Sequence, residues 1–218
     1  MKCQKMLAGA LATAMVIPTF AVNVFAATSV PLDEEHFPNK ALRERVANYD
    51  KDSDGELSST EIKAITNFSL HGGDCTDLTG LEYLTAITDL YLGGPEFKEI
   101  NLSKLKNLKN ISFYDCDSFT ELDFSNNYYL ETINLDGCDS FETFKFDNNA
   151  HITKIVINSC ASIEAVDFSS LESLAKVWFY NDDSLESVNL TNCKKLASLT
   201  CNNTAVRDIE LKGCSGLE

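Results

Sequence analysis

The sequence predicts a mainly β protein, in which a right-handed parallel solenoid of short strands follows a small helix–loop–helix segment. Three observations lead to this prediction. Apolar-x-apolar triplets recur with a period of 22 through most of the chain, and a second series of triplets interleaves with the first at 10 or 11 residues. Before these repeats, an acidic loop lies between two stretches rich in helix-forming residues.

The first 26 residues have the features of a secretory signal peptide. Lys2 and Lys5 precede a mostly apolar core over 6–22, and Val24-Phe25-Ala26 matches a cleavage pattern with small residues at its first and third positions. Cleavage leaves 27–218, which contains no further long apolar run. We therefore expect a secreted or cell-surface protein that does not insert into the membrane once the signal is removed.

The mature chain is strongly acidic. It has 16 basic and 33 acidic residues, a net charge of −17. Repulsion from phosphate groups disfavours nucleic acid and anionic membrane surfaces as partners. Such a charge suits a soluble protein outside the cell, where divalent cations are available.

The segment 50–61 places oxygen atoms at the spacing that a calcium ion requires. Carboxylates occupy loop positions 1, 3, 5 and 12, and Gly55 occupies position 6, where the backbone turns sharply. Carboxylates crowded in this order repel one another, so a hard cation is the simplest reason for the pattern. The predicted Ca²⁺ ligands are Asp50, Asp52, Asp54, Glu56 through its backbone carbonyl, Ser58 through a water, and Glu61.

The residues on both sides of this loop favour helices. Leu42, Val46 and Tyr49 lie on one face of an expected helix over 39–49, and 59–65 continues as a second short helix. The segment resembles an EF-hand, present in one copy. Calcium sensors and dockerins carry such loops in pairs, and dockerins usually end the loop with Asp. The resemblance therefore implies a structural calcium site rather than a switch.

The two triplet series predict the strands of the solenoid. The outer residues of each triplet point inward and the middle residue points outward. Eleven residues suffice for one short strand and a corner, so two half-repeats form one coil and about six coils stack into two narrow sheets with a continuous core. The outward residues are Tyr91, Ser112, Asn134, Val156, Trp178 and Thr200 in the first series, and Asn101, Asp123, Lys145, Asp167, Asn189 and Glu210 in the second.

In this register the chain resembles the leucine-rich repeat family over about 76–218, in particular the bacterial subtype with nested half-repeats, L-x-x-L-x-L-x-x-N/C. Ile, Val and Phe often replace the leucines. The layout is also similar to exported proteins of gut Firmicutes, in which a signal peptide and an EF-hand-like segment with Phe37-Pro38 precede the repeats. We expect a signal peptide over 1–26, a calcium-binding segment over 30–72 that caps the solenoid, and a repeat domain over 76–218.

Cysteines and asparagines recur at the corners after the strands. Parallel in-register side chains lie about 4.8 Å apart, beyond the roughly 3.5–4.5 Å between the Cβ atoms of a disulfide, so we expect mostly buried free thiols. We expect the corner residues to satisfy backbone polar groups. The first-series corners hold Cys116, Cys138, Cys160 and Asp182, and the second-series equivalents are Asn127, Asn149, Cys193 and Cys214.

The first series carries aromatic residues on its outward face, whereas the second series is an ordinary polar face. Exposed aromatic rings provide large contact area and dominate interface energies, although they also occur singly on ordinary protein surfaces. We expect a partner-binding surface formed by Tyr91, Tyr114, Val156, Trp178 and Tyr180.

Motifs for catalysis are missing from the sequence. His71 lies near Cys75, but in a Gly-rich stretch, and no Ser/His/Asp motif, phosphate loop or C-x-x-C pair occurs. The favoured hypothesis is an exported, non-enzymatic recognition or adhesion protein that binds a protein or carbohydrate partner. The alternatives are a calcium-dependent, dockerin-like assembly module and, less favoured, a carboxylate-based hydrolase. At the carboxyl end the last apolar layer lacks a polar cap, which leaves three alternatives: a second copy or another partner covers it, the open end is tolerated, or the chain is part of something longer.

Overall fold

The computed structural model describes residues 29–217 except residues 73, 74, 95, 96, 98, 148 and 170. The predicted signal peptide over 1–26 lies outside the described residues. The described chain is a parallel β-solenoid preceded by a helix–loop–helix segment, which confirms the predicted fold class. None of its helices combines the length and apolar character needed to cross a bilayer.

The described strands and helices follow one another along the chain with short connections. A single 3₁₀ turn at Leu81–Tyr83 separates the third and fourth strands. The elements are β1 (Ser29–Pro31), α1 (Lys40–Ala47), β2 (Glu56–Ser58), α2 (Ser59–Ala64), β3 (Asn67–His71), β4 (Asp89–Gly93), β5 (Asn110–Tyr114), β6 (Glu121–Asp123), β7 (Thr132–Asp136), β8 (Thr143–Lys145), β9 (Lys154–Asn158), β10 (Ala165–Asp167), β11 (Lys176–Tyr180), β12 (Ser187–Asn189), β13 (Ser198–Asn202) and β14 (Asp208–Glu210).

Side-chain caps set the starts of both helices. The Asn39 side chain accepts a hydrogen bond from the Leu42 amide at 3.0 Å, so α1 begins one residue later than the start of the expected range. Ser58 and Glu61 form a reciprocal capping box at the start of α2. Leu42 and Val46 are buried as expected, whereas Tyr49 lies beyond the end of α1.

The strand β1 pairs antiparallel with β2, an arrangement that the sequence analysis missed. Val30 lies opposite Leu57, and the Leu57 side chain is fully buried. The residues just after the expected signal cleavage site thus pair with the short strand of the acidic loop.

The larger sheet contains seven parallel strands in the order β13-β11-β9-β7-β5-β4-β3. Its first strand, β3, lies within the segment that we expected to precede the solenoid, because Phe68 and Leu70 continue the apolar spacing 22 residues before β4. Arg45 of α1 donates from Nε to the Ser69 carbonyl at 2.7 Å and from Nη2 to the Ser69 hydroxyl at 3.0 Å. The edge of the sheet is thus covered by the helix–loop–helix segment.

A residue with positive φ follows every strand of this sheet. The left-handed conformation turns the chain out of the strand and into the corner, and Gly, Asn and Asp adopt it more readily than other residues do. These residues are Gly72, Gly94, Asp115, Gly137, Ser159, Asn181 and Asn203.

The second series forms two separate short sheets, whereas the prediction was one narrow sheet on each side of the solenoid. The strands β6 and β8 pair with each other, while β10, β12 and β14 form a separate three-stranded sheet. The triplet around Asn101 is not a strand. The break lies between β8 and β10. There Phe144 of β8 and the nearby Phe146 are half-buried, and their rings lie 5.8 and 6.0 Å from the Phe168 ring, measured between centroids. The break coincides with this crowding of large rings.

One continuous apolar core extends through the solenoid and includes Leu42, Val46 and Leu57 of the preceding segment. At its corners, the Asn127 side chain donates to the carbonyls of Leu102 at 3.0 Å and Leu105 at 2.9 Å. The Asn149 side chain does the same to the next pair of carbonyls along the chain. The predicted role of these asparagines is confirmed.

Candidate functional site

The acidic loop brings three of its predicted ligands together. Asp50, Asp52 and Asp54 each place a carboxylate oxygen within 4.8 Å of the others. Asp50 accepts hydrogen bonds from the amides of Ser53 at 2.7 Å and Gly55 at 3.0 Å, so the backbone curls around its carboxylate. Gly55 has a φ of 86°, the left-handed turn expected at loop position 6.

The other predicted ligands are not in this group of three carboxylates. Glu61 accepts from the Lys51 amide at 2.5 Å, and also from the Ser58 amide at 2.9 Å and hydroxyl at 2.8 Å. The Glu56 carboxylate accepts a hydrogen bond from the Ser29 hydroxyl, so the Glu56 side chain points toward β1. That arrangement agrees with a role for Glu56 through its carbonyl alone. The Glu61 carboxylate lies close enough to the loop for its charge to raise the pKa of Asp52.

The electrostatics of the loop fit a hard cation. The charge of Asp54, with smaller effects from desolvation and Glu61, raises the pKa of Asp52. Hydrogen bonds from the Lys51 and Ser58 amides lower the pKa of Glu61. A divalent ion would relieve the repulsion at Asp52, and the oxygen-only donor set suits calcium. The residues fit the ion, and its presence stays a prediction.

The predicted partner-binding residues lie on the outward face of the seven-stranded sheet. The strand register aligns the middle residues of the triplets in one row, with Val156 beside Trp178 on neighbouring strands. Tyr114 and Tyr180 belong to the next row. The predicted residues form two groups, Tyr91 and Tyr114 on β4 and β5, and Val156 with Trp178 and Tyr180 on β9 and β11, separated by β7.

Trp178 is held in place by its neighbours on both sides. Its indole N–H donates to the Ser198 hydroxyl at 3.1 Å, and the Lys154 ammonium lies 4.5 Å from the ring centroid. A half-buried ring with these two contacts loses little freedom when it binds a partner.

The sequence analysis missed a third outward row, formed by the residue just before each triplet. Lys154 and Lys176 lie side by side in this row, while Asp89 lies near its other end. In the sequence, the two lysines directly before the triplets of β9 and β11 could have indicated this row. Ser112 was expected outside but is only 8% exposed. The face is thus basic beside Trp178 and acidic toward β4.

Five of the seven described cysteines are buried, and Cys201 and Cys214 are partly exposed. All seven described cysteines are free thiols. The Cys75 thiol donates to the Asp77 carbonyl at 3.4 Å, and burial raises its pKa. A raised pKa disfavours the thiolate, so Cys75 is not an activated nucleophile paired with His71 as its base. Hydrogen bonding with Cys138, together with burial, raises the pKa of Cys116.

The Asp182 carboxylate lies at the end of the row of corner cysteines. Its Oδ1 accepts from the Cys160 amide at 2.9 Å, while its buried Oδ2 has no hydrogen-bond partner. Burial, partly offset by that amide, raises the pKa of Asp182 to about 6. The register is preserved across this corner, since β9, β11 and β13 pair in line.

No protein-family model matches the chain, and no curated protein sequence matches it. Solved structures with a similar fold include an internalin (InlF) from Listeria monocytogenes, which is 18% identical with a TM-score of 0.41, over 88% of this chain and 77% of that one. InlP from the same organism is 17% identical with a TM-score of 0.48, over 80% of this chain and 60% of that one.

A third similar structure is the functional domain of InlJ from Listeria monocytogenes, which includes a cysteine ladder. It is 13% identical with a TM-score of 0.34, over 87% of this chain and 63% of that one. At these identities and scores the likenesses carry no argument about a ligand or an activity.

Proposed function

We propose that this chain is an exported, non-enzymatic recognition or adhesion protein of the leucine-rich repeat type. It binds a protein or carbohydrate partner through the outward face of the seven-stranded sheet. The observation that carries this proposal is the alignment of Tyr91, Val156 and Trp178 in one outward row, with Tyr114 and Tyr180 in the next. Side chains on paired strands keep their spacing, so this surface is presented to a partner without prior ordering.

The basic group beside Trp178 adds selectivity to this face. Lys154 and Lys176 lie on neighbouring strands in a chain whose overall charge is −15. A partner that places an acidic group there gains charge complementarity near the aromatic anchor. The opposite end of the row, around Asp89, disfavours the same group.

The calcium site has a structural role in this proposal. The loop connects helices whose Leu42 and Val46 side chains belong to the same core as the solenoid. An ion that stabilises the loop would therefore stabilise the cover over β3. This packing favours a clamp over the dockerin-like alternative, because the apolar faces of the segment are already occupied.

Binding to arrays of proteins and glycans tests the recognition face. We expect Trp178→Ala in the mature chain to weaken binding to the ligands identified for the parent protein by tenfold or more. Asp123→Ala, at the equivalent outward position of the other sheet, should leave binding unchanged. Equal binding by the parent protein and Trp178→Ala, with equal melting temperatures, would remove the face from the proposal.

Calorimetry with calcium or with EDTA tests the clamp. Calcium should raise the melting temperature by mass action, and the shift should disappear in the double variant Asp50→Asn/Asp54→Asn. Glu44→Gln, an exposed acidic residue of α1, is the matched control and should keep the shift. A parent protein that melts at one temperature under both conditions has no structural calcium site.

A further inference from the structure

A second surface lies at the amino ends of the strands, away from the outward face. An open groove of about 530 Å³ extends across the starts of β3, β4, β5 and β7 and reaches α2. Its volume falls within the range typical of ligand sites. The groove is lined by Lys63, Thr66, Ala86, Thr88, Asn107, Lys109 and Tyr129.

The charge of this groove is opposite to that of the protein. Two lysines and no carboxylate line it, although acidic residues outnumber basic ones by 33 to 18 in the chain. Three other grooves of the described chain each contain at least one carboxylate, for example Glu142, Asp167 or Asp77. Lys109 lies 3.5 Å from Glu131, an exposed pair that water screens and a stronger partner can displace.

An exposed aromatic cluster continues the groove along the solenoid. Tyr128 and Tyr129 are 49% and 51% exposed, more than the other large apolar or aromatic side chains of the described chain that are solvent-exposed. His151, on the next coil, lies 5.0 Å from the Tyr128 ring and 5.9 Å from the Tyr129 ring. These mutual contacts hold the rings in place while leaving about half of each tyrosine open to solvent.

We propose that this groove binds an acidic polysaccharide, a chain of sugar rings that carry carboxylates. The flat face of Tyr129 suits the apolar face of a sugar ring, and the ammonium groups of Lys63 and Lys109 pair with the carboxylates. The Asn107 side chain donates to the Thr85 carbonyl at 3.0 Å, which orients its amide oxygen for a sugar hydroxyl. None of the three other grooves compared above contains a lysine or a tyrosine.

The shape of the surface favours a polymer over a single small molecule. Neighbouring parallel strands are about 4.8 Å apart, so a groove across four strand starts spans roughly 14 Å. The tyrosine–histidine cluster lengthens it further along the coils. An open site of this kind binds a short run of sugar rings, each weakly, rather than enclosing one ring.

Titration calorimetry with a hyaluronan hexasaccharide tests this proposal, and the methyl ester of the same hexasaccharide is the uncharged control. The mature parent protein should bind the acid form at least tenfold more tightly than the ester. Tyr129→Ala and the double variant Lys63→Gln/Lys109→Gln should each weaken binding tenfold or more, while Tyr129→Phe should retain it. Melting temperatures close to that of the parent protein would show that the variants are folded.

Two controls separate this site from the recognition face. Trp178→Ala and Lys145→Gln lie outside the groove and should bind the hexasaccharide as the parent protein does. Failure of the parent protein to bind, or equal binding of acid and ester, would overturn the proposal. Tight binding of poly-glutamate that is the same in the parent protein and in Tyr129→Ala would also overturn the proposal, since the groove would then recognise charge alone. None of these outcomes decides whether the outward face binds its own partner.

Discussion

The two sides of the solenoid come from one repeat but differ in regularity. On one side, strands of five residues form an unbroken sheet of seven. On the other side, strands of three residues break into a pair and a group of three. A longer strand makes more hydrogen bonds to each neighbour and therefore tolerates uneven packing beneath it. The difference shows that the period places the strands, while strand length and the volume of inward side chains decide whether they form one sheet.

The corners differ in the same way. An Asn side chain at a second-series corner donates two hydrogen bonds to carbonyls of the preceding coil, as Asn127 does. A Cys side chain donates a weaker one, such as that from Cys193 to the Phe168 carbonyl at 3.3 Å. Asp182 cannot donate when it is ionised, and its Oδ2, like the Oδ1 of Asn127, is buried without a hydrogen-bond partner. Equivalent positions in the repeat thus differ widely in how well they satisfy the backbone.

The largest expected effect compares the cores under the two sheets. Phe113 is fully buried beneath the seven-stranded sheet, whereas Phe146 is half-buried at the break in the other. Phe113→Ala should lower the free energy of unfolding by about 3–5 kcal/mol because it leaves a cavity. Phe146→Ala should cost about half as much, and urea denaturation measures both. Equal losses would mean that the broken side contributes as much as the continuous one.

The next comparison concerns the corners. Asn127→Ala removes two amide hydrogen bonds to the carbonyls of Leu102 and Leu105, each of which keeps one backbone hydrogen bond, so we expect a loss of about 1–3 kcal/mol. Cys193→Ala removes a weaker donor and a small volume, and should cost about 1 kcal/mol. Denaturant titrations of the two variants side by side measure the difference. If Cys193→Ala is less stable than Asn127→Ala, the expectation that Asn stabilises a corner more than Cys is wrong.

Asp182 connects the corners to pH. Its folded pKa of about 6 lies above the ordinary value of 3.8, so the folded state holds its proton more tightly and loses stability as pH rises from about 4 to 6. Asp182→Asn should therefore stabilise the protein by about 1–3 kcal/mol at pH 7 and by little at pH 4. Asp183→Asn removes an exposed neighbouring charge that is a smaller cause of the raised pKa of Asp182, so it should give a much smaller gain at pH 7 and little at pH 4. A gain that is the same at both pH values would show that the charge is not the cause.

The smallest expected effect lies on the broken side. Lys145 of β8 pairs with Glu121 of β6 at 2.6 Å, and both side chains are about half exposed. Lys145→Ala should shift the unfolding midpoint only slightly, and high salt should reduce the difference further because it screens exposed charges. A large shift that persists in high salt would mean that this pair is essential to the two-stranded sheet.

Local spacing in the sequence was sufficient for several features of the molecule. Alternation within each triplet predicted the inward positions of residues such as Ile111 and Val177, which are fully buried. The spacing of Asp50, Asp52 and Asp54 predicted that their carboxylates converge. These features depend on neighbours a few residues apart, for which the backbone geometry of a strand or a turn leaves few choices.

The sequence by itself therefore determined the repeat, its register, the inward residues and the order of the acidic loop. Only the tertiary structure decided that β1 pairs with β2, that Glu61 is held in a capping box, and that Lys154 lies over Trp178. It also placed Lys63 and Tyr129, which are distant in the chain, in one groove. Such contacts depend on side-chain volumes and charges that meet only when coils stack, and the spacing of residues within one coil carries no information about them.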